Sequence, residues 1–469
     1  MAKLLGVDVG TTSLKMTLFD EKGTTLQCAI REYTLEVHGE IVEFDGEEYY
    51  RLFLSAYEEI SANHTIDALS IDTQCETLLV ADKEGNLLRK AIVWLDNRAV
   101  EEAGAIEAQF GRKMVYEVTG QAEVTATWPA SKLLWLRQNE PEVFAKTEKV
   151  FLLADYLYFR ICGEFVTEPT LQSSSLYMDI RQKTWWTDML SWIGLDAQKL
   201  PEIRKSGSYI GKFRGTDVYM GVMDQVAGAI GAGVIHKGIV SEMTGTTMVV
   251  FAPTDTMPPF ETSSYMPCHV NYDGKYSLLM WTPTAGIALK WFRQNFAEEV
   301  SFQELDKMAE KIAPGCDGLT FLPYLCGSIM PRYAPAARGA FMGLTMEHTR
   351  AHAARSIMES VAFMLYENLA QLGVPCQEVR SMGGGAASPL WCQMKADVIR
   401  IPLVTLSASE TACLGSAILA GVGMGVYKTV QEACTAVVKT GKQYLPGDAD
   451  YQTALQRFAL YSERVLSDR

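Results

Sequence analysis

The chain has 469 residues, a net charge of −14 and an apolar fraction of 48%. That is too long for one typical core and too apolar for a disordered chain, so two large domains, or two with insertions, are expected. The acidic surplus opposes nucleic-acid phosphates and anionic membranes, which leaves a small-molecule enzyme as the starting expectation and makes any anion site a local feature.

In chain order, the opening MAKLLGVDVG reaches Asp8 before a signal-peptide core could form, so a cytoplasmic protein is expected. Strands are predicted over residues 4–9, 14–20 and 24–30 as a three-stranded antiparallel unit with a turn at Glu21-Lys22-Gly23. Asp45 with Glu48 makes a capping-box-like start, and Leu52, Phe53, Ala56, Tyr57 and Ile60 then recur at helical spacing. Further strands are expected over 68–73, 78–81 and, after a turn at 82–85, over 87–94. Residues 99–208 are mostly helical in pattern and rich in tryptophan (Trp128, Trp135, Trp185, Trp186, Trp192), as an insertion forming a lid or cleft wall would be. Strand signals return at Tyr219. Residues 238–251 repeat the opening plan of strand, Gly/Thr turn and strand, so a second domain born of duplication is expected. It closes with Gly383-Gly384-Gly385, a helix from Leu390, a strand over 401–406 and a small-residue helix from Glu410. Residues 412–427 are too short and too glycine-rich for the roughly 18 apolar residues of a membrane span. The 10 cysteines contain no C-x-x-C pair and read as reduced thiols rather than zinc ligands. His348 and His352 share a helix face but have no third ligand nearby, and read as a solvated or capping pair.

Asp8 stands at a strand end, followed by a turn of Gly10, Thr11, Thr12 and Ser13 and then by Lys15. Each suits phosphate: Gly10 lets backbone N–H groups approach an anion, the hydroxyls donate, Lys15 adds charge, and Asp8 could hold a hydrated Mg²⁺. The other reading is a hairpin with polar tips. A second Gly/Thr turn at 244–247 favours phosphate, since two such turns would clamp one polyphosphate. The chain has no G-x-x-x-x-G-K-[ST], and residues 383–388 miss the last glycine of G-x-G-x-x-G. That turn offers backbone to a flat adenine or ribose, or is a plain tight turn.

Together, GVDVGTTSLK at 6–15, PASKLLWLRQN at 129–139, GVMDQVAGAIGAG at 221–233, TGTT at 244–247, GAFMGLTMEHTRAHAARSIME at 339–359 and GGGAASPLWCQMKADV at 383–398 resemble the FGGY family of carbohydrate kinases. They stand in family order, span nearly the whole chain, and look most like its xylulokinase-like branch. Ala353 and Thr127 depart from the usual residues. The resemblance implies an α/β fold of two ribonuclease-H-like domains of the actin/hexokinase superfamily flanking a deep catalytic cleft. Residues 1–235 would carry the acceptor site, the first phosphate turn and the base, and residues 236–469 the second phosphate turn and the adenosine site. It implies ATP and Mg²⁺ as cofactors and transfer of the γ-phosphate to a primary hydroxyl of a pentulose-like sugar or polyol. It also implies a homodimer, as in many relatives, with no nucleic-acid or membrane partner.

On that resemblance Asp224 is the general base and Gln225 steadies the acceptor; apart from it, Asp224 reads as a carboxylate capping the following helix. Asp8 would organise Mg²⁺ through water. Thr11, Thr12, Ser13 and Lys15 would meet the phosphates from one side, and Gly245 and Thr246 from the other. Lys15 replaces the arginine of many glycerol kinases, keeping the charge without the fork. Gly384, Gly385 and Ser388 carry over to the adenosine site, while Gly415 reads as a packing glycine and Trp391 and Met394 as core. Acceptor identity hangs on Gln74, Cys75 and Glu76 and on Trp94 and Asp96. Cys75-Glu76 replaces the Met-His of xylulokinases and half matches the Arg-Glu of glycerol kinases, so glycerol, gluconate, a deoxyketose or a signalling sugar are alternative acceptors. Thr127 and Trp128 lie where glycerol kinases present aromatics to substrate, with packing before Pro129 as the other reading. A non-catalytic ATP or sugar sensor is a further reading, opposed by the retained Asp224.

Overall fold

The meander expected at the start forms as β1 (Lys3–Val9), β2 (Ser13–Asp20) and β3 (Thr25–Glu32) in a computed structural model that describes residues 1–262, 264–408 and 410–466. β1 is buried along nearly its whole length because it lies inside a sheet covered on both faces. One cover is α1 (Gly46–Ser61), started by Asp45, whose side chain accepts from the Glu47 N–H at 3.0 Å. Glu48 does not complete a capping box; its carboxylate takes Arg51 Nε at 2.6 Å instead. β4 (Ala68–Thr73) then pairs parallel with β1.

The insertion after β4, joined by residues 36–44 ahead of it, builds its own core. Short strands at 36–38, 41–44, 91–92, 78–81 and 149–152 form a five-stranded sheet under helices that include α2 (Pro129–Asn139). Its tryptophans pack into that cluster, Trp186 buried and Trp128, Trp135, Trp185 and Trp192 against it. The strand expected over 87–94 shrinks to Ala91–Ile92, because the Val93 N–H goes to the Val42 carbonyl and the Trp94 N–H to the Thr77 hydroxyl, which ends the ladder. β5 (Tyr209–Phe213) and β6 (Thr216–Tyr219) return to the first sheet, whose order is β5-β6-β4-β1-β2-β3, and α3 (Asp224–Gly231) leaves it.

The second half repeats this plan with β7 (Gly238–Thr244), β8 (Met248–Thr254), β9 (Cys268–Val270), β10 (Tyr276–Thr282), α4 (Arg350–Leu372), β11 (Cys376–Met382), α5 (Pro389–Ile399), β12 (Leu403–Leu406), α6 (Thr411–Met424) and β13 (Thr440–Tyr444). The order is β9-β10-β8-β7-β11-β12-β13. Three antiparallel strands in the first sheet and four in the second lead into two parallel ones and then one antiparallel edge. The strand expected from Ile401 begins only at Leu403, since Pro402 has no N–H to give the ladder.

The equivalent helices α3 and α6 cross with their backbones touching. A Cβ on Gly415 would lie 1.9 Å from the Ala227 carbonyl oxygen, and one on Gly231 1.9 Å from that of Thr411, which bears out the packing role of Gly415. Although α6 follows β12, it packs on β1 and β4, and Cys413, Leu414, Ala417 and Ile418 belong to the first core. The ten cysteines are free thiols, and the Nδ1 atoms of His348 and His352 accept from the Thr345 and Thr349 N–H groups at 2.9 and 3.1 Å, so both act as caps. Among the described residues no helix is long and apolar enough to cross a membrane.

Candidate active site

The ends of β1 and β4 bring two carboxylates together. Register sets Asp8 opposite Asp72, and the two carboxyl groups interact electrostatically. Asp72 is wholly buried; its Oδ2 accepts from Ser416 Oγ on α6 at 2.5 Å, while Oδ1 has no partner. Burial pushes the Asp8 carboxyl up to about 6 against the pull of Lys15, and burial with the Asp8 charge pushes Asp72 well above the usual carboxylate range. Asp224 opens α3 beside them, set there by a bridge from Met223 to Thr73 at the end of β4. Its Oδ1 accepts from the Gln225 N–H at 2.7 Å, and burial, then the Asp8 charge, pushes its carboxyl up to about 7. Two buried side chains hold the segment leading to it: the Tyr158 hydroxyl accepts from the Gly221 N–H and the Thr170 hydroxyl from the Met223 N–H, both at 2.8 Å.

Beyond β4 the chain turns through Gln74, Cys75 and Glu76. Gln74 donates from Nε2 to the Tyr49 hydroxyl at 3.2 Å and leaves Oε1 buried without a partner. Glu76 sits at φ +58, a left-handed conformation that costs a side-chain-bearing residue roughly 1–2 kcal/mol. Burial pushes its carboxyl up to about 8, opposed by Lys132 and by a hydrogen bond with Ser174. Lys132, wholly buried on α2, donates from Nζ to the carbonyls of Glu76 at 2.9 Å and Val93 at 3.1 Å, and burial pulls its ammonium down to about 7 against the charge of Glu76. Burial raises the Cys75 thiol far enough to make it inert as a nucleophile. Trp94 Nε1 donates to Thr11 Oγ1 at 3.0 Å, tying the segment before Asp96 to the Gly10–Ser13 turn. Asp96 has both oxygens engaged, Oδ2 by the Val42 N–H at 2.6 Å and Oδ1 by the Arg98 N–H at 3.0 Å. Trp128 donates to the Glu123 carbonyl at 3.0 Å and packs with the insertion, Thr127 preceding it half-buried.

The first Gly/Thr turn is closed by the Gly10 N–H donating to the Ser13 carbonyl at 3.0 Å and braced by the Tyr33 N–H on the Thr12 carbonyl at 3.0 Å. Lys15 donates from Nζ to Glu410 Oε2 at 2.9 Å, just ahead of α6, so a carboxylate already holds it. In the second turn the Gly245 N–H donates to the Thr247 carbonyl at 2.9 Å, and the Thr246 carbonyl accepts from Ala285 at 3.1 Å. The triple-glycine turn rests on this one: a Cβ on Gly383 would lie 2.8 Å from the Thr244 carbonyl oxygen and one on Gly385 2.8 Å from Thr244 Cβ, while Gly384 faces open space. Ser388 caps α5, its hydroxyl accepting from the Trp391 N–H at 3.1 Å, and Trp391 and Met394 are core. Under both turns Lys395 Nζ donates to Glu242 at 2.7 Å and Thr244 Oγ1 at 2.8 Å, with both charged side chains fully buried.

Sequence reasoning missed Asp72, Lys132, Ser174, Glu410 and the Glu242–Lys395 pair. Asp72 and Lys132 gain their roles only from the long-range contacts that the fold makes, with Asp8 and with the Glu76 carbonyl. Among the described residues no group of three or more His, Cys, Asp or Glu could hold a metal by itself. The Asp8–Asp72 pair with its orphaned Oδ1 nonetheless fits a Mg²⁺ ion bound through one or two carboxylates, water and phosphate oxygens. Two cavities of about 310 and 240 Å³ lie elsewhere, neither lined by Asp8, Glu76 or Asp224, so chemistry rather than cavity size locates the site.

Residues 3–235 match the N-terminal domain of the FGGY family of carbohydrate kinases and residues 242–424 its C-terminal domain. The chain is 28% identical over 482 residues to a xylulose kinase of Bacillus subtilis (strain 168), spanning 98% of this chain and 96% of that protein. It is 27% identical over 455 residues to a gluconokinase of Bacillus licheniformis, spanning 91% and 87%. In fold it is similar to the ligand-bound xylulose kinase from Lactobacillus acidophilus, with a TM-score of 0.93 over 100% and 99% of the two chains at 24% identity. The chain therefore belongs to the FGGY family of carbohydrate kinases, phosphotransferases of actin/hexokinase-like α/β fold that act on a sugar hydroxyl.

Proposed function

We propose that the chain transfers the γ-phosphate of ATP to a primary hydroxyl of an uncomplicated pentulose-like sugar or polyol, as its xylulose kinase relatives suggest, with Asp224 as general base. The observation that carries this reading is a helix-opening carboxylate, pushed up to about 7, that interacts with Asp8 on the phosphate side and Glu76 on the acceptor side. Phosphoryl transfer asks chiefly for positioning and charge neutralisation. Asp224 takes the proton of the attacking hydroxyl, and a base poised near neutrality is matched to that task. Gln74, Glu76, Trp94 and Gln225 orient the acceptor; Cys75, Thr127 and Trp128 shape its walls, and Asp96 acts through the backbone of Val42 and Arg98 that it fixes. Thr11, Thr12, Ser13, Gly245 and Thr246 offer hydroxyl and N–H donors to the phosphates, Lys15 adds charge once it shares Glu410 with them, and Gly384, Gly385 and Ser388 border adenosine. Asp8 and Asp72 would hold Mg²⁺, which when bound neutralises phosphate charge. The reading divides the chain into residues 1–235 and 236–469 and includes a cytoplasmic homodimer.

Asp224→Asn should fold, bind ATP and acceptor, and lose turnover by about 10²–10⁴-fold in a coupled ADP-release assay. In the parent protein kcat/KM should fall as pH drops below about 7, where Asp224 gains its proton. Near-native acceptor-dependent ADP release by the variant would remove Asp224 from the role.

A further inference from the structure

Glu168 is a buried acid that the phosphoryl-transfer chemistry does not use. It stands at the start of the helical turn Pro169–Gln172, and every hydrogen bond it makes is made as acceptor. Its Oε2 takes the Thr170 N–H at 2.8 Å and Ser206 Oγ at 3.1 Å, and its Oε1 takes the Leu171 N–H and Thr170 Oγ1, both at 2.6 Å. Partners that all donate fit the ionised carboxylate, although burial pushes this carboxyl up to about 7. Keeping a carboxylate out of water among neutral groups is costly, and a single side-chain oxygen suffices to cap a helix start. The Thr170 hydroxyl shows what else the charge holds. A hydroxyl has one proton to give and lone pairs to accept with. The Thr170 proton goes to Glu168, which leaves a lone pair for the Met223 N–H at 2.8 Å. Met223 is the residue from which α3 starts, and Asp224 is the first residue of that helix. The Tyr158 hydroxyl holds the chain earlier, at Gly221, but gives its own proton to the neutral Ile71 carbonyl at 3.0 Å.

We propose that Glu168 and Thr170 form a positioning relay for the base: the carboxylate takes the hydroxyl proton and so orients the Thr170 oxygen, that oxygen fixes the Met223 N–H, and the Met223 backbone fixes the point and direction from which Asp224 meets the acceptor hydroxyl. The proposal rests on the reading of Asp224 as general base. The 2.6 Å bond from Thr170 to the carboxylate is of the charge-assisted kind, shorter and stronger than one between neutral groups. On its other side Met223 is tied by its bridge to Thr73 at the end of β4. Loss of the Thr170 hydroxyl therefore leaves the segment attached along β4 and loose on one side, which displaces the base without dismantling the fold. A misplacement of about 1 Å can lower turnover about 100-fold. Both side chains act through the Met223 backbone, so binding of ATP and acceptor should survive their loss.

Steady-state kinetics on the full chain test this at pH 8, above the value of about 7 to which burial pushes both Glu168 and Asp224. The acceptor is whichever of D-xylulose, glycerol and D-gluconate the parent protein turns over fastest. Thr170→Val, which keeps the side-chain shape and the backbone bonds to Glu168, should lower kcat about 30-fold or more and leave KM for ATP and acceptor within about threefold. Thr170→Ser, which keeps the hydroxyl, should return kcat to within about threefold of the parent. In an Asp224→Asn background, Thr170→Val should add less than about a threefold loss, since a group that acts through the base has nothing left to position. Glu168→Gln, with one oxygen for all of these donors, should repeat both the loss and its lack of additivity. A kcat within about threefold of the parent in Thr170→Val, a loss carried equally by KM, or an undiminished loss on top of Asp224→Asn makes Thr170 a core residue and overturns the proposal. If Thr170→Val does not fold, Glu168→Gln read in the same two backgrounds decides by the same criteria. Near-native turnover by Asp224→Asn overturns the reading of the base and the proposal with it, as does turnover on none of a broad acceptor panel; an inactive Asp224→Asn beside a native Thr170→Val overturns the proposal alone.

Discussion

The first strand of each large sheet carries an acid close to its Gly/Thr turn, half-buried in one and wholly buried in the other, and the two acids meet opposite fates. In the first half, register places Asp8 against Asp72, carboxyl against carboxyl, with one oxygen orphaned. In the second, one residue further from its turn, Glu242 stands against Ser381, and Lys395 neutralises it with no exposed surface on either charge. Both sheets run an antiparallel meander into two parallel strands. The uncompensated pair must shift its protonation or take up a cation, which suits chemistry; the compensated pair only fixes the shape of the turn above it. One half thus sets an acid against a second acid, the other sets an acid against a hydroxyl and a buried lysine.

That contrast can be broken by experiment. The largest effect is expected from Lys395→Met, which leaves Glu242 buried and unpaired and should cost about 3–5 kcal/mol in urea unfolding, with most of it recovered in the Lys395→Met/Glu242→Leu double variant. A loss below about 1 kcal/mol would mean that the second acid is not held as a charge. Next comes the symmetry of the helix crossing. Gly231→Ala and Gly415→Ala each drive a methyl to within 1.9 Å of a carbonyl oxygen, and each should cost about 2–3 kcal/mol. Gly104→Ala, on an exposed helix face with nothing within 4 Å, should instead gain about 0.5–1 kcal/mol. The smallest effect sharpens the first half. Asp8 titrates near 6 in the folded protein against an ordinary 3.8, so between those values the native state holds more protons than the unfolded chain. Stability therefore falls as pH rises from about 4 to about 6 and stays lowered above it. Asp72→Asn removes a second acid that burial also holds well above its ordinary range and should flatten the fall by about 1 kcal/mol, read as unfolding free energy at pH 4 and pH 7. An unchanged slope would show that Asp72 is not held protonated by the fold.

Much of this was legible in the sequence because strand-end motifs announce themselves locally. Asp8, Asp224 and the two Gly/Thr turns stand beside glycines and follow apolar runs, and they fold where those runs predict. Other features arise only from long-range pairing. Asp72 acquires meaning from its parallel register with Asp8, and Glu242 from a lysine 153 residues away. The left-handed backbone of Glu76 has no sequence signature, since glutamate does not favour it. Lys132 resembles any amphipathic-helix lysine until the apolar residues around it prove to be core on all sides. The strand expected over 87–94 failed for the opposite reason: its apolar pattern is real, but its N–H groups are taken by Val42 and a threonine hydroxyl.

The position of α6 has a consequence for synthesis. A Cβ on Gly6 of β1 would lie 1.7 Å from the carbonyl oxygen of Cys413, so this strand is shaped to receive a helix made more than 400 residues later. Until residues 411–424 emerge, the face of β1 and β4 that α6 covers stays open, and the orphan-bearing Asp72 lacks the Ser416 hydroxyl. The first half is thus assembled early but sealed last, and the nascent chain must keep an apolar sheet face from its neighbours for most of translation.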